Sequence, residues 1–368
     1  MRKTYLQYLL LFAGGLFLTL LVASCKKEHN TPAPVPTRVA TLGLYEVNNS
    51  YYKRIFIGIS QLGTLSVSYY GVFDTGSAGM TIDATGILPA SMITSSGITI
   101  PPSQDSVVVN GITVTSQTAI VSYGDKQSEV QEYGNLAYAT VKIGDQNGSV
   151  TTSRIPIFMY YKIIDVPTGQ QQPAHSNDVF GVGPGYSSAN SLIASPLSYF
   201  KSTDGGISGF KLAMLNNADF STQGTYVAGL LTIGLVPDDV SPSSTFIMHR
   251  LTSYAQGGYS PDIPATVTYN GQNVAATILF DTGTPAITLI ENGNATSNST
   301  DLPSGTPVTL TTNNGFTYTY TTASANDLTT VTQPSFTGDP RTIFSINFFT
   351  DNEFLMDYAG HEIGLKNN

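Results

Sequence analysis

Apolar positions along most of this chain recur at every second residue, in short runs broken by Gly, Asn or Pro. That period puts alternate side chains on opposite faces and predicts β-strands. Residues 51–59 alternate and end in Ile57-Gly58-Ile59, and 65–73 form a second run. Shorter strands are predicted at 98–100 and across 107–114, with turns at Pro101-Pro102 and Asn110-Gly111. The run 119–123 reaches a Tyr123-Gly124 turn and returns through 136–143, as a β-hairpin. Residues 155–164 and 177–183 read as apolar, buried runs, and 207–215 and 226–235 as long strands between two halves. The second half continues through 245–248, 265–269, an Asn270-Gly271 turn, 274–280, 308–310 and 316–321, with 292–304 as a polar loop. It closes through 342–349, 353–358 and 362–365. One helix is predicted in the first half, at 195–201, with Ser195 as its cap and Pro196 at its first position. Heptads and βαβ alternation are absent, so the pattern predicts an all-β fold.

Two of the predicted strands run into the same phrase. The first copy is Phe73-Asp74-Thr75-Gly76-Ser77 and the second is Phe280-Asp281-Thr282-Gly283-Thr284. Phe-Asp-Thr-Gly arises by chance at roughly one position in 10^5. Each copy follows an apolar run (65–72 and 274–279) and precedes another (78–82 and 285–290). The repeat therefore reads as duplication of a whole lobe rather than a short-period solenoid.

Composition narrows the function classes. The chain has 368 residues, 11% of them charged, with a formal net charge of −9. That length accommodates two domains with real cores. An acidic surface poor in Lys and Arg argues against nucleic acid as a partner. The four histidines are scattered without ligand spacing, so neither a metal nor another cofactor is expected. A Gly-x-Ser-x-Gly elbow for serine chemistry is also absent.

Two aspartates in matching loops point to a paired-carboxylate site. Gly76 and Gly283 allow tight turns that bring the backbone of one loop near the other lobe. Thr75 and Thr282 can bond across to the partner loop, and Ser77 and Thr284 can supply a hydroxyl to each carboxylate. Two carboxyls held close retain one proton between them. The ionised member can take a proton from water while the protonated one donates to a carbonyl oxygen.

The residues quoted so far resemble the pepsin-like (A1-type) aspartic proteases, whose shared-proton carboxylate pair is a standard worked example of pKa tuning. The resemblance covers nearly all of the chain after its leader. It rests on the two Asp-Thr-Gly loops, on Asp178-Val179-Phe180-Gly181-Val182-Gly183, and on Phe354-Leu355-Met356-Asp357-Tyr358 with Ile363-Gly364-Leu365. It implies a bilobal acid protease fold of two related β-barrel-like lobes, with Asp74 and Asp281 catalytic in the cleft between them. Tyr123 and Gly124 would form the tip of a flap over the substrate, with Tyr133-Gly134 as a rival position. The chain departs from the family pattern at Met80-Thr81-Ile82, where an aromatic Trp commonly follows the first loop. It departs again at Ile343-Phe344-Ser345, where Ser stands for Gly. The implied activity is endopeptidase cleavage of a peptide or protein lying in the cleft, by a monomer. The alternative is an inactive pepsin-fold protein that binds peptide or glycan.

The N-terminus carries its own message. Arg2 and Lys3 precede an apolar run, 9–22, and Val22-Ala23-Ser24-Cys25 reads as a bacterial lipoprotein cleavage signal. Cys25, the only cysteine, would become the lipidated first residue, and the Pro-rich stretch after it a tether. The expected organisation is a signal peptide at 1–24, lipidated Cys and tether at 25–41, and lobes at 42–206 and 207–368. The expected location is the outer membrane, with membrane contact through the lipid only.

Overall fold

The strands that deliver the two aspartates show the same burial along their length. Leu65–Asp74 alternates between half-buried and exposed positions and then becomes fully buried over its last four residues. Gln272–Phe280 also alternates, and its last three residues are buried. Alternation marks a strand with one face in solvent, and the buried run marks where it dives beneath neighbouring strands. In the first half that neighbour is Val179–Val182, parallel, with Phe180 opposite Phe73 and Gly181 opposite Asp74. In the second half it is Thr342–Phe344, also parallel, with Phe344 opposite Phe280. The computed structural model describes residues 38–50, 52–200, 206–255, 257–323 and 328–367. The predicted signal peptide, Cys25 and the tether as far as residue 37 lie outside the described residues.

The fold is all-β, as the period of the pattern predicts. Lys53–Leu62 pairs antiparallel with Leu65–Asp74. Ile112–Tyr123 pairs with Val130–Ala139, which pairs in turn with Ile155–Asp165. In the second half, Ile263–Tyr269 and Gln272–Phe280 form a hairpin through Asn270 and Gly271, both at positive φ. A third group of strands ties the halves together. Ile207–Leu212 pairs with Thr225–Leu235 and with Asn352–Asp357, and Asn352–Asp357 continues to Glu362–Asn367 and Ile247–Arg250. Thr225–Leu235 also pairs with Ala40–Asn48, which passes the sheet on to Lys53–Leu62. Phe73 meets Phe210 of this central sheet edge to face at 5.6 Å, so the first aspartate loop rests on it. In the second half Phe280, at the end of the strand that enters the second loop, packs its ring at a tilt against Phe344 and Phe348.

Four local differences from the pattern have physical causes. The predicted helix at 195–201 is a single 3-10 turn, Pro196–Tyr199, with Leu197 N–H donating to the Ser195 hydroxyl as expected of the cap. The segment is too short to propagate an α-helix. Ala40–Asn48 is a strand that the pattern does not reveal, because Gly43 and the buried Glu46 interrupt its alternation. A Cβ at Gly43 would lie 2.5 Å from Val227 O, so only Gly allows that pairing. The polar loop at 292–304 contains a short strand, Ser299–Asp301, and Leu328–Thr332 is another strand not foreseen.

Candidate active site

Each aspartate is held by its own turn. Asp74 Oδ1 accepts from Gly76 N at 2.8 Å and Ser77 N at 3.2 Å, and Oδ2 accepts from the Ser77 hydroxyl at 2.5 Å. Asp281 repeats the arrangement, with Gly283 N at 2.7 Å on Oδ1 and the Thr284 hydroxyl at 2.7 Å on Oδ2. Donors from both backbone and hydroxyl fix each carboxylate plane.

The two turns are locked to each other by their threonines. Thr75 Oγ1 donates to Phe280 O at 2.7 Å and accepts from Thr282 N at 3.0 Å. Thr282 Oγ1 donates to Phe73 O at 2.5 Å and accepts from Thr75 N at 3.1 Å. Both threonines are fully buried. The glycines show how close this brings the loops. A Cβ on Gly76 would lie 2.6 Å from Asp281 Cγ, and one on Gly283 would lie 2.7 Å from Asp74 Cγ. The two carboxyls are within hydrogen-bonding reach of one another. Burial is the main force raising the Asp74 pKa well above the ordinary carboxylate range. The Asp281 charge and hydrogen bond add to it, and the Ser77 and Gly76 donors partly offset it. Asp74 therefore holds a proton at pH values where a free carboxyl would not.

The structure accommodates Ser345 opposite the second loop. Gly181, its counterpart, has no room for a side chain, since a Cβ there would lie 2.7 Å from Gly79 O. In the first half the strand Ala78–Asp83 starts directly after Ser77. In the second half the strand resumes only at Ile287, after Pro285 and Ala286. That longer excursion leaves space for the Ser345 side chain, although its buried hydroxyl finds no hydrogen-bond partner among the described residues.

Asp74, Asp281, Tyr123 and Gly124 line one cleft of about 900 Å³. Tyr123 ends the outgoing strand of the Ile112–Tyr123 and Val130–Ala139 hairpin, and Gly124, at φ 86°, turns the tip. Tyr133 and Gly134 lie in the return strand, opposite Ile120 and Ala119, so Tyr123-Gly124 is the tip and Tyr133-Gly134 is not. The tip crosses to the second half. Lys126 N donates to Thr337 O at 2.9 Å and Gln127 Nε2 to Phe336 O at 3.1 Å, which roofs the cleft.

Two arginines in the cleft were not anticipated. Arg54 Nε donates to Gly283 O at 2.9 Å and so holds the second loop from the first lobe. Burial lowers its pKa, and the charges of Asp74 and Asp281 work against that. Arg341 is clamped by Asp339, with Nη2 at 2.7 Å, and its pKa is raised mainly by that bond. The available signal for Arg54 was a pair of basic residues, Lys53 and Arg54, opening a strand otherwise rich in Ile.

Comparisons with known proteins follow this geometry. No protein-family model matches the chain. Pepsin A of Gallus gallus is 27% identical over 213 residues, 56% of this chain and 56% of that protein. The chain thus matches about half the length of that relative. An aspartic proteinase from Irpex lacteus superposes with a TM-score of 0.54 at 16% identity, over 89% of this chain and 97% of that one. Basic 7S globulin from soybean gives 0.56 at 14%, over 90% and 96%, and conglutin gamma from lupine seeds gives 0.55 at 11%, over 90% and 95%. The chain has the pepsin-like fold. Two of the three structures bear globulin names.

Proposed function

We propose that the protein is an aspartic endopeptidase. The observation that carries this reading is the mutual clamp, in which Thr75 and Thr282 lock two loops whose carboxyls are close enough to share a proton. A scaffold that only bound peptide would have no use for two acids held face to face at the floor of its cleft. Burial of Asp74 favours the proton on that residue, and Asp281 then serves as the base. A water between them loses a proton to Asp281 as its oxygen attacks the peptide carbonyl carbon, and Asp74 protonates the carbonyl oxygen. The resulting gem-diol collapses as Asp281 passes its proton to the amide nitrogen, the C–N bond breaks, and Asp74 takes a proton back from a diol hydroxyl as that oxygen becomes the carbonyl of the new carboxylic acid. No covalent enzyme intermediate forms. The hairpin tip at Tyr123 covers an extended chain, and activity is greatest at acidic pH because the pair needs one proton.

Asp281→Asn removes the base and leaves the fold. Hydrolysis of an unfolded protein such as casein should then fall to background while the stability of the chain is retained. Wild-type turnover in that variant would rule the mechanism out. If the unaltered chain instead binds peptides at acidic and neutral pH without cutting them, the binding reading replaces this one.

We also propose that Cys25 is lipidated and anchors the protein to the bacterial outer membrane. Cys25→Ala should move it from the membrane fraction to the soluble fraction. An unchanged distribution would remove the anchor from the account.

A further inference from the structure

One cation in the cleft has no acid of its own. Arg54, the second residue of Lys53–Leu62, is partly buried and lines the cleft together with Asp74 and Asp281. Its Nε donates to Gly283 O at 2.9 Å, and its Cζ lies 5.7 Å from the centre of the Tyr52 ring. No ion pair among the described residues includes it. Arg341, the other arginine of the cleft, differs, with Asp339 at 2.7 Å and Asp262 at 3.8 Å. Lys53, next to Arg54 in the chain, turns instead to Asn217 and Asn347, at 2.5 and 2.7 Å.

A cation drawn out of water without a counter-ion is costly. What stands near Arg54 is the aspartate pair, with Gly283 alone between them. Gly283 O accepts from Arg54, and Gly283 N donates to Asp281 Oδ1 at 2.7 Å. A Cβ on Gly283 would lie 2.7 Å from Asp74 Cγ. The guanidinium is therefore one residue away from both carboxyls, and their charges favour its protonated form against burial.

That attraction is mutual. Burial pushes the pair toward holding two protons, a form with no base, and a fixed cation opposes this by favouring the charged form. The pair is faced by the Ser77 and Thr284 hydroxyls of its own turns, by Tyr123 of the hairpin, by Arg54 and by Arg341. Of these only the two arginines carry positive charge, and Asp339 offsets that of Arg341.

We infer that Arg54 is a positioning residue for the charge of the pair: it is the counter-ion that keeps one carboxyl ionised at low pH, where burial alone would protonate both. This rests on the reading of Asp74 and Asp281 as a water-activating pair.

Two substitutions separate charge from shape. Gln carries its Nε2 as many bonds from Cα as Arg carries its Nε, so Arg54→Gln keeps a donor for Gly283 O and loses the cation. Arg54→Lys keeps the cation and loses that donor. Peptide hydrolysis by the full chain is followed as kcat/KM from about pH 2 to about pH 8. In Arg54→Gln both limbs of the profile should move up by about one pH unit, because the pair then takes up its protons at higher pH. In Arg54→Lys they should stay within about half a unit of wild type. A merely structural tie predicts the reverse, a uniform loss of rate with unmoved limbs, rescued by Gln and not by Lys. Unmoved limbs in Arg54→Gln, or an equal shift in both variants, would overturn the proposal. Should Arg54→Gln fail to fold, Arg54→Lys decides the matter, since limbs within that half unit support the proposal and a larger shift overturns it.

Carboxyl NMR signals of an aspartate-labelled chain supply a readout that needs no cleavage. The titration of the pair, identified by its loss in Asp74→Asn and Asp281→Asn, should move up in Arg54→Gln by the same amount as the limbs. That shift in a chain that does not cut peptides would remove the protease reading and keep the role of Arg54. Cleavage without that shift would do the opposite.

Discussion

Replacing Thr282 with Val tests the cross-lobe clamp with almost no change in shape. The substitution removes the hydroxyl that donates to Phe73 O at 2.5 Å and accepts from Thr75 N at 3.1 Å. Thr282 is fully buried, so water cannot replace either bond. Leaving a buried donor or acceptor unpaired costs about 1–3 kcal/mol each. The extra methyl returns roughly 1 kcal/mol through burial. The net loss should be about 2–4 kcal/mol, a large share of a domain stability of about 5–15 kcal/mol. Urea denaturation with an unchanged m-value would measure it. Thr75→Val, which loses the bonds to Phe280 O and Thr282 N, should lose a similar amount. Because the threonines act on each other's loops, the double variant should lose less than the sum, with a coupling of about 1–3 kcal/mol. A loss below about 1 kcal/mol in both single variants, or strict additivity in the cycle, would refute the clamp.

Four further outcomes follow from the same geometry. Ser345→Ala removes a buried hydroxyl with no partner among the described residues and should stabilise the chain by about 1 kcal/mol, read as a rise in Tm. Gly76→Ala would place a methyl 2.6 Å from Asp281 Cγ and should abolish peptide hydrolysis, measured beside a folded circular dichroism spectrum. Glu46 is fully buried and its pKa is raised to about 7 from 4.5, chiefly by burial, with the Asp219 charge adding and Lys53 opposing. A carboxyl whose folded pKa is raised stabilises the fold below its unfolded pKa and loses that contribution as pH rises through the folded value. Wild type should therefore weaken by up to about 3 kcal/mol between pH 4.5 and pH 7, and Glu46→Gln should remove most of that slope in urea titrations. Lys126→Pro deletes the N–H that bonds Thr337 O across the cleft and should raise KM for peptide several-fold without loss of Tm.

What could be read in the sequence was local or duplicated. The two Asp-Thr-Gly turns carry their own donors, so the chemistry around Asp74 and Asp281 is visible in a few residues each. The hairpin tip at Tyr123-Gly124 is marked by its turn. Features that depend on what distant strands bring together were not visible. Arg54 reads as an ordinary base near a strand end until Gly283 of the other half is placed beside it. Nothing in the sequence singles out Glu132; its burial follows from the pairing of its strand with Ile155–Asp165 and its bond to Asn177. Ser345 reads as a defect in a glycine position, and it fits because Pro285 and Ala286 delay the next strand. Ala40–Asn48 escaped the period-2 reading because Gly43 and the buried Glu46 interrupt its alternation.

The most direct test of the central claim is cleavage of an unfolded protein at acidic pH, with the transition-state mimic pepstatin as inhibitor. The account predicts hydrolysis by the unaltered chain, blocked by pepstatin and lost in both Asp74→Asn and Asp281→Asn. Hydrolysis that survives either substitution, or a folded wild-type chain that binds the unfolded protein and leaves it intact, would contradict it.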